Sequence, residues 1–347
     1  MSFNRRSFLL LIPAAIGALL TGNASAQSVE QFYKGKQIRL TVGSAPAGAY
    51  DVYSRRMAPY FTKYIPGNPH FVVENRPGGG GLLSSNFLFN TAPKDGSFIA
   101  MVERGAAMDP LINGAQSQAK FDPLKFNWIG SPTQEIGIGL MKLPSPIKSA
   151  EDLRSKELIV SATTNASTAA IYPKIMNGLF GTKFKIVQGY KGSVEALAAV
   201  EKGEVDGYLN GASSGVMRAQ ISPWIEANKA KVFLIFGFKK DPAYPDAFMV
   251  ADMAKTDEEK QMLTLMFAQQ IMAYPFVAPP DMPMDRFAAL RDAFDKTVAD
   301  PDFLADAAKM KLSVDPVSGK EIRRLIADMY DTPKPIVDRY AKLSAAD

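Results

Sequence analysis

The chain contains no cysteine and a single histidine among its 347 residues. No disulfide can brace it, so the fold must rest on buried apolar surface, which a chain of this length can supply. A thiol nucleophile is excluded. Metal sites built on histidine and cysteine ligands are excluded with it, because those residues are nearly absent and the acids are scattered. No G-x-S-x-G elbow occurs, and His70, between Pro69 and Phe71, reads as a surface residue at a strand start. Only carboxylate or lysine chemistry stays open to an enzyme reading. Beyond residue 26 no apolar run reaches the ~18 residues of a membrane helix. Basic residues outnumber acidic ones by 40 to 35, yet they form no dense block. Nucleic-acid binding needs a clustered basic face, so that class is set aside. The mild positive balance favours anionic partners without deciding anything alone.

What is present begins with an export signal. Met1 to Arg6 is short and basic, with Arg5 and Arg6 and no acid. Phe8 to Leu20 is apolar but too short to span a bilayer comfortably, and Pro13 and Gly17 weaken it as a helix. Ala24-Ser25-Ala26 then offers the small residues a signal peptidase accepts, so Gln27 is expected to begin the mature chain. No cysteine follows to carry a lipid, which implies a free periplasmic product. Asn4-Arg5-Arg6-Ser7-Phe8-Leu9-Leu10 also fits the twin-arginine pattern, and both export routes stay open.

Short β-rich runs alternate with helical patterns in the rest of the chain, which points to α/β layers with largely parallel sheets. The clearest strands are Ile38–Val42, Phe71–Glu74, Phe98–Val102, Leu158–Ala162, Phe184–Gln188, Val205–Leu209 and Val232–Phe236. Helices are expected to begin near Asp51, Leu82, Thr168 and Ser193. Phe287, Leu290, Phe294 and Val298 share one helical face, and Ile322, Leu325 and Ile326 form the stripe of another. Both stripes read as core.

Three strand-to-helix junctions carry the candidate chemistry. After the first strand, Gly43-Ser44-Ala45-Pro46-Ala47-Gly48-Ala49-Tyr50-Asp51 is a loop of small residues. Main-chain N–H groups there, with the helix start behind them, suit a carboxylate or phosphate. The alternative is an ordinary βα turn, with Asp51 as its helix cap. The second junction, Thr163-Thr164-Asn165-Ala166-Ser167-Thr168, sets five hydroxyl or amide side chains before a helix, more than capping uses. The third, Gly189-Tyr190-Lys191-Gly192-Ser193, adds a phenol and a cation, although Lys191 also fits a solvated turn. Arg104 follows an apolar strand at the end where α/β folds bind ligands. Its planar fork suits a carboxylate, or a salt bridge to Glu103 or Asp109. Pro77-Gly78-Gly79-Gly80-Gly81 lacks the Lys-Ser/Thr of a phosphate loop and reads as a tight turn.

These junctions resemble, in this order, the substrate-binding proteins of tripartite tricarboxylate transporters, the Bug or TctC-like family. The resemblance is carried by Pro46–Asp51, by Val72-Val73-Glu74-Asn75-Arg76-Pro77-Gly78-Gly79-Gly80, and by Ala92-Pro93-Lys94-Asp95-Gly96. Gly189–Gly192 and Gly203-Glu204-Val205-Asp206 extend it, and it runs from about Val29 to Ala341. It implies a type II periplasmic-binding-protein fold, two α/β domains with a ligand cleft between them. The chain crossings would fall near Gln134–Met141 and Val232–Lys239. The expected division is 1–26 signal peptide, 27–134 and 240–347 domain 1, and 135–239 domain 2. The family implies a non-enzymatic receptor that needs no cofactor or metal and works as a monomer. Its partners would be a small carboxylate and a two-component membrane permease with large and small integral membrane subunits. Ligand sensing for a membrane kinase is the rival use of the same fold. By position, the binding residues would be Ser44, Ala47, Gly48, Ala49, Tyr50, Thr163, Asn165, Ser167, Thr168, Tyr190, Lys191, Gly192 and Ser193, with Asn210 beside them. The family's first loop commonly reads P-G-G-x-x-D, and Ala47 replaces a glycine here. Arg104 stands where a small or hydroxylated residue is usual, which suggests a second ligand carboxylate and hence a dicarboxylate.

Overall fold

The computed structural model describes residues 27–165, 167–210 and 215–345, so the expected export segment lies outside the described residues. Walking along the chain, the first unit holds α1 (Val29–Tyr33), β1 (Gln37–Val42), α2 (Ala49–Tyr64), β2 (His70–Asn75) and α3 (Leu82–Asn90). It continues with β3 (Phe98–Met101), α4 (Asp109–Asn113) and β4 (Asn127–Ser131). The second unit follows with β5 (Gly137–Lys142), α5 (Asp152–Ser155), β6 (Leu158–Ser161), α6 (Thr168–Phe180) and β7 (Phe184–Val187). After these come α7 (Ser193–Lys202), β8 (Gly207–Asn210), α8 (Gly215–Glu226), β9 (Ala230–Phe236) and β10 (Phe248–Met249). The chain closes with α9 (Asp257–Ile271), β11 (Phe276–Ala278), α10 (Met284–Val298), α11 (Pro301–Lys309), β12 (Val317–Ser318), α12 (Gly319–Tyr330) and α13 (Lys334–Ala345).

The strands form two six-stranded sheets, ordered β12-β4-β11-β3-β1-β2 and β10-β9-β5-β8-β6-β7. β1 pairs in parallel with β2 and β3, and β6 pairs in parallel with β7 and β8. Both sheets are mixed, not largely parallel as the alternation suggested. β5 runs antiparallel to β8 and β9, and β11 runs antiparallel to β3 and β4. Each of these is the strand on which the chain arrives from the other sheet, so it enters reversed. The first crossing spans residues 132–136. The return comes later than residues 232–239, because β10 still pairs with β9. The chain rejoins the first sheet only at β11, after α9.

Local chemistry accounts for these elements. Along β1, Gln37 and Arg39 are exposed while Ile38 and Leu40 are fully buried, the period of two that a half-buried strand requires. Phe287, Leu290, Phe294 and Val298 are buried on α10, and Ile322, Leu325 and Ile326 on α12. Phe61, Phe276 and Phe294 meet with ring centroids 5.5 to 6.1 Å apart in the first core. Burying each such ring contributes roughly 1.5–3 kcal/mol. Capping boxes fix the starts of α9 and α12, through Thr256 with Glu259 and Ser318 with Glu321. The final helix, α13, lies on α6 of the second unit, with Leu343 packed over Gly178 and Arg339 paired to Glu258 at 2.6 Å.

Candidate functional site

In a parallel strand-to-helix unit the helix begins at the carboxyl edge of the sheet, where its first N–H groups have no partner within the helix. Four helices start in this way, α2, α3, α6 and α7. Their N-caps are Gly48, Gly81, Ser167 and Gly192, and none makes a side-chain cap bond. By contrast α1, α9, α11 and α12 are capped by Ser28, Thr256, Asp300 and Ser318. Ser167 has a suitable hydroxyl but donates it to the Thr164 carbonyl at 2.7 Å. Uncapped starts also occur at α4, α5 and α10, and α2, α3, α6 and α7 are those that follow β1, β2, β6 and β7.

The loop after β1 is held from beneath by Asp51, which is 5% exposed. Its carboxylate accepts from the Ala47 N–H, from Arg55 Nε and from Asn75 Nδ2, each at 2.9 Å. Asn75 Nδ2 also donates to the Ser44 carbonyl at 3.1 Å, so β2 and the first loop share one network. Burial tends to raise the Asp51 carboxyl, but the bonds from Arg55, Ala47 and Asn75 outweigh it and hold its pKa below the usual range. Ala47 sits at φ +64°, a left-handed conformation that glycine adopts freely and alanine does not. The alanine at this position is strained. Ser44 Oγ is buried with no hydrogen-bond partner among the described residues. Ala47, Gly48 and Ala49 are exposed, and Tyr50 is half-buried.

Arg104 pairs neither with Glu103 nor with Asp109. Its Nη1 donates to Glu135 Oε2 at 2.5 Å, and Glu135 lies in the first crossing. Glu135 Oε1 accepts from Tyr274 Oη at 2.7 Å, while the Arg104 N–H donates to Tyr50 Oη at 3.2 Å. Tyr274 stacks on Tyr53 with centroids 4.5 Å apart and meets Tyr50 edge-on at 4.9 Å. Burial works against the charged guanidinium, but Glu135 more than offsets it and keeps the Arg104 pKa above its ordinary value. Glu103, the neighbour, has a different setting. Burial raises its carboxyl against the opposing pull of a Tyr50 hydrogen bond and the Arg104 charge. Gly81, at φ +88°, passes so close that a Cβ there would lie 2.4 Å from Glu103 Cβ. The glycine run reads correctly as a close approach of backbone.

In the second unit Thr163, Ser167, Thr168, Tyr190, Gly192 and Asn210 are half-buried, while Asn165, Lys191 and Ser193 are exposed. Thr168 Oγ1 donates to Asn210 Oδ1 at 3.3 Å, joining the loop after β6 to the end of β8. Asn165 Oδ1 accepts from Gln188 Nε2 at 2.9 Å and from Lys174 Nζ at 2.5 Å. The Lys191 N–H donates to Glu195 Oε2 at 2.6 Å, which fixes the third loop against its own helix. A cavity of about 680 Å³ opens between the units. Gly105 and Asp109 border it from the first, Asn165 and Ile171 from the second, and Gln269 and Tyr340 close one side. Among the predicted binding residues, Asn165 is the one that lines it. Sequence reasoning missed Asn75, Glu135, Lys174 and Tyr274, and weighed Glu103 only as a partner for Arg104. Asn75 alone carried a signal, as part of the Glu74-Asn75-Arg76-Pro77-Gly78 segment.

Among the described residues no group of three acids or histidines is placed to hold a metal, and no helix is long and apolar enough to cross a membrane. The arrangement offers hydrogen-bond donors at four helix starts, which suit an anionic ligand.

Comparison with known proteins agrees with this reading. A protein of Cupriavidus necator, described as a UPF0065 protein in the gbd 5′ region, is 23% identical over 345 residues, covering 96% of this chain and 97% of its own. The crystal structure of a TctC solute binding protein from Polaromonas superposes with a TM-score of 0.69 at 15% identity, covering 88% of this chain and 99% of that one. MatC from Rhodopseudomonas palustris, solved with bound malate, gives 0.57 at 17% identity, over 87% and 99% of the two chains. The fold is thus that of the two-domain periplasmic binding proteins, each domain an α/β layer around one of the mixed sheets. The model of the TctC family, described as tripartite tricarboxylate transporter family receptor, matches residues 65–341, and the chain belongs to that family.

Proposed function

We propose that this protein captures a small organic acid in the periplasm and delivers it to a two-component membrane permease of the tripartite tricarboxylate type. The observation that carries the reading is the uncapped helix starts that follow β1, β2, β6 and β7, α2 and α3 in one unit and α6 and α7 in the other. A carboxylate offered to N–H groups of both units favours their closed arrangement, because only there does it touch both. The closed form is then the one the permease accepts. In this reading the binding residues are Ser44 to Tyr50, Thr163 to Thr168, Tyr190 to Ser193 and Asn210. The first domain takes residues from 27 to the first crossing together with the C-terminal part from β11. Residues 1–26 act as a cleaved signal peptide. MatC with malate supports an organic acid as ligand. Arg104 does not add support for a second carboxylate, since Glu135 already matches its charge.

The test is calorimetry or thermal shift on residues 27–347 against mono-, di- and tricarboxylates. Micromolar or tighter binding of one acid is expected. Silence across aliphatic acids, aromatic acids and acidic amino acids would reject the proposal.

A further inference from the structure

Lys174 is 6% exposed on the inner face of α6. Among the described residues it forms no ion pair: its ammonium donates to Asn165 Oδ1, a neutral amide. A lysine taken out of water without an acid beside it pays a desolvation cost that hydrogen bonding to one amide does not recover. Such a group persists where an anion is supplied from elsewhere. Its position indicates the source. Asn165 accepts from both Lys174 and Gln188 on its Oδ1 and itself borders the open space. The helix that carries Lys174 also has an uncapped start directly after β6. A buried cation and an open helix start thus act on the same loop, residues 163–167.

We infer that Lys174 is the counter-charge for an anionic group of the ligand at the second unit, with Asn165 holding the ammonium one amide away from that anion. Lys174 is a positioning residue, acting through Asn165. The inference rests on the small-acid reading above and adds to it where the negative charge must lie. It requires a carboxylate or similar small anion at the Thr163–Thr168 loop, with no matching demand at Arg104, which is already neutralised.

The inference has a readout that needs no ligand. Asn165→Asp places a carboxylate within reach of Lys174 and imitates the missing anion. In a double-mutant cycle on the mature chain without added acids, Asn165→Asp should raise Tm by several degrees in the wild-type background and should lower it or leave it unchanged beside Lys174→Met. Additive effects would overturn the inference. Malate and succinate titrations supply the second arm. If wild type binds either acid, Lys174→Met should weaken it about 10- to 100-fold, the size expected for losing one charge at short range in a partly buried site, and Asn165→Asp should weaken it at least as much. Unchanged affinity in Lys174→Met would overturn the inference while leaving the small-acid reading intact. A non-additive cycle in a protein that binds no carboxylate at all would uphold the buried counter-charge and reject the small-acid reading.

Discussion

Asp51 is the residue through which the first loop can be probed most directly. Replacing it with alanine removes an acceptor that meets three donors, Ala47 N–H, Arg55 Nε and Asn75 Nδ2. The Arg55 side chain is 49% exposed, so its pair with Asp51 contributes only about 0.5 kcal/mol after solvent screening. The other two bonds end on an ionised acceptor that is nearly inaccessible to water, and each contributes about 1.5 kcal/mol. Relief of the buried charge returns part of this, so Asp51→Ala should cost about 2–3 kcal/mol in urea denaturation. Loss of the anchor also frees Ser44 to Gly48, and ligand affinity should fall at least tenfold. Asp51→Asn is the sharper variant. It keeps the volume but turns an amide NH2 towards a ring of donors, so it should recover less than half of the lost stability. The pH dependence has a definite sign. The folded-state pKa of Asp51 is depressed, so its contribution is present above the unfolded value near pH 4 and is lost as pH falls through the folded value. The gap between wild type and Asp51→Asn should be constant at neutral pH and close in acid. Asp51→Ala unfolding within about 0.5 kcal/mol of wild type, or Asp51→Asn matching it, would refute the reasoning.

Three further outcomes follow from the same side of the site. Ala47→Gly relieves a left-handed alanine, and urea denaturation should show about 1 kcal/mol of added stability with the Asp51 network unchanged. Glu103→Gln should flatten the dependence of Tm on pH. Burial raises the Glu103 carboxyl in the folded chain, so wild type loses stability as pH climbs from the unfolded value through the folded one, and the glutamine variant does not. The variant should therefore gain on wild type as pH rises above the unfolded value near 4, and parallel curves would count against a buried, raised carboxyl. Arg104→Met strands the Glu135 carboxylate with one tyrosine hydroxyl and should cost about 3 kcal/mol. Calorimetry should show the ratio of di- to monocarboxylate affinity unchanged, and a selective loss of dicarboxylates would restore Arg104 as a ligand partner.

The elements were legible wherever pattern is local. All seven strands expected from β-rich runs are present, as are helix starts at Leu82, Thr168 and Ser193, because period, breakers and caps lie within a few residues of one another. The strands that were not read, β4, β5, β10, β11 and β12, share a cause. Ile129 and Ile138 sit among glycines, and β10 to β12 have two or three residues each, so their pairing is set by the partner sheet rather than by their own composition. The return crossing was set early for the same reason. β10 joins the second sheet through only Phe248 and Met249, too short a run to announce itself.

Charge partnership is where local reading ends. Arg104 was weighed against Glu103 and Asp109, the acids nearest in sequence, yet its partner lies 31 residues away in the crossing. The choice is physical. Glu103 is drawn towards Tyr50 at the end of β3, whereas Glu135 is backed by Tyr274 and reaches the guanidinium with both oxygens engaged. Lys174 presents the converse case. In sequence it is an ordinary lysine after a proline in an apolar helix, with nothing to distinguish it from a snorkelling surface residue. Only packing against the second sheet, with Asn165 as its partner, makes it a buried cation. The two outcomes together move the electrostatic argument across the molecule. The cation that looked available in the first unit is matched, and the one that looked ordinary in the second is not. A ligand drawn by charge should therefore engage the Thr163–Thr168 loop first and meet the first unit only as the units close, which makes substitutions at Lys174 act on capture and those at Asp51 on closure.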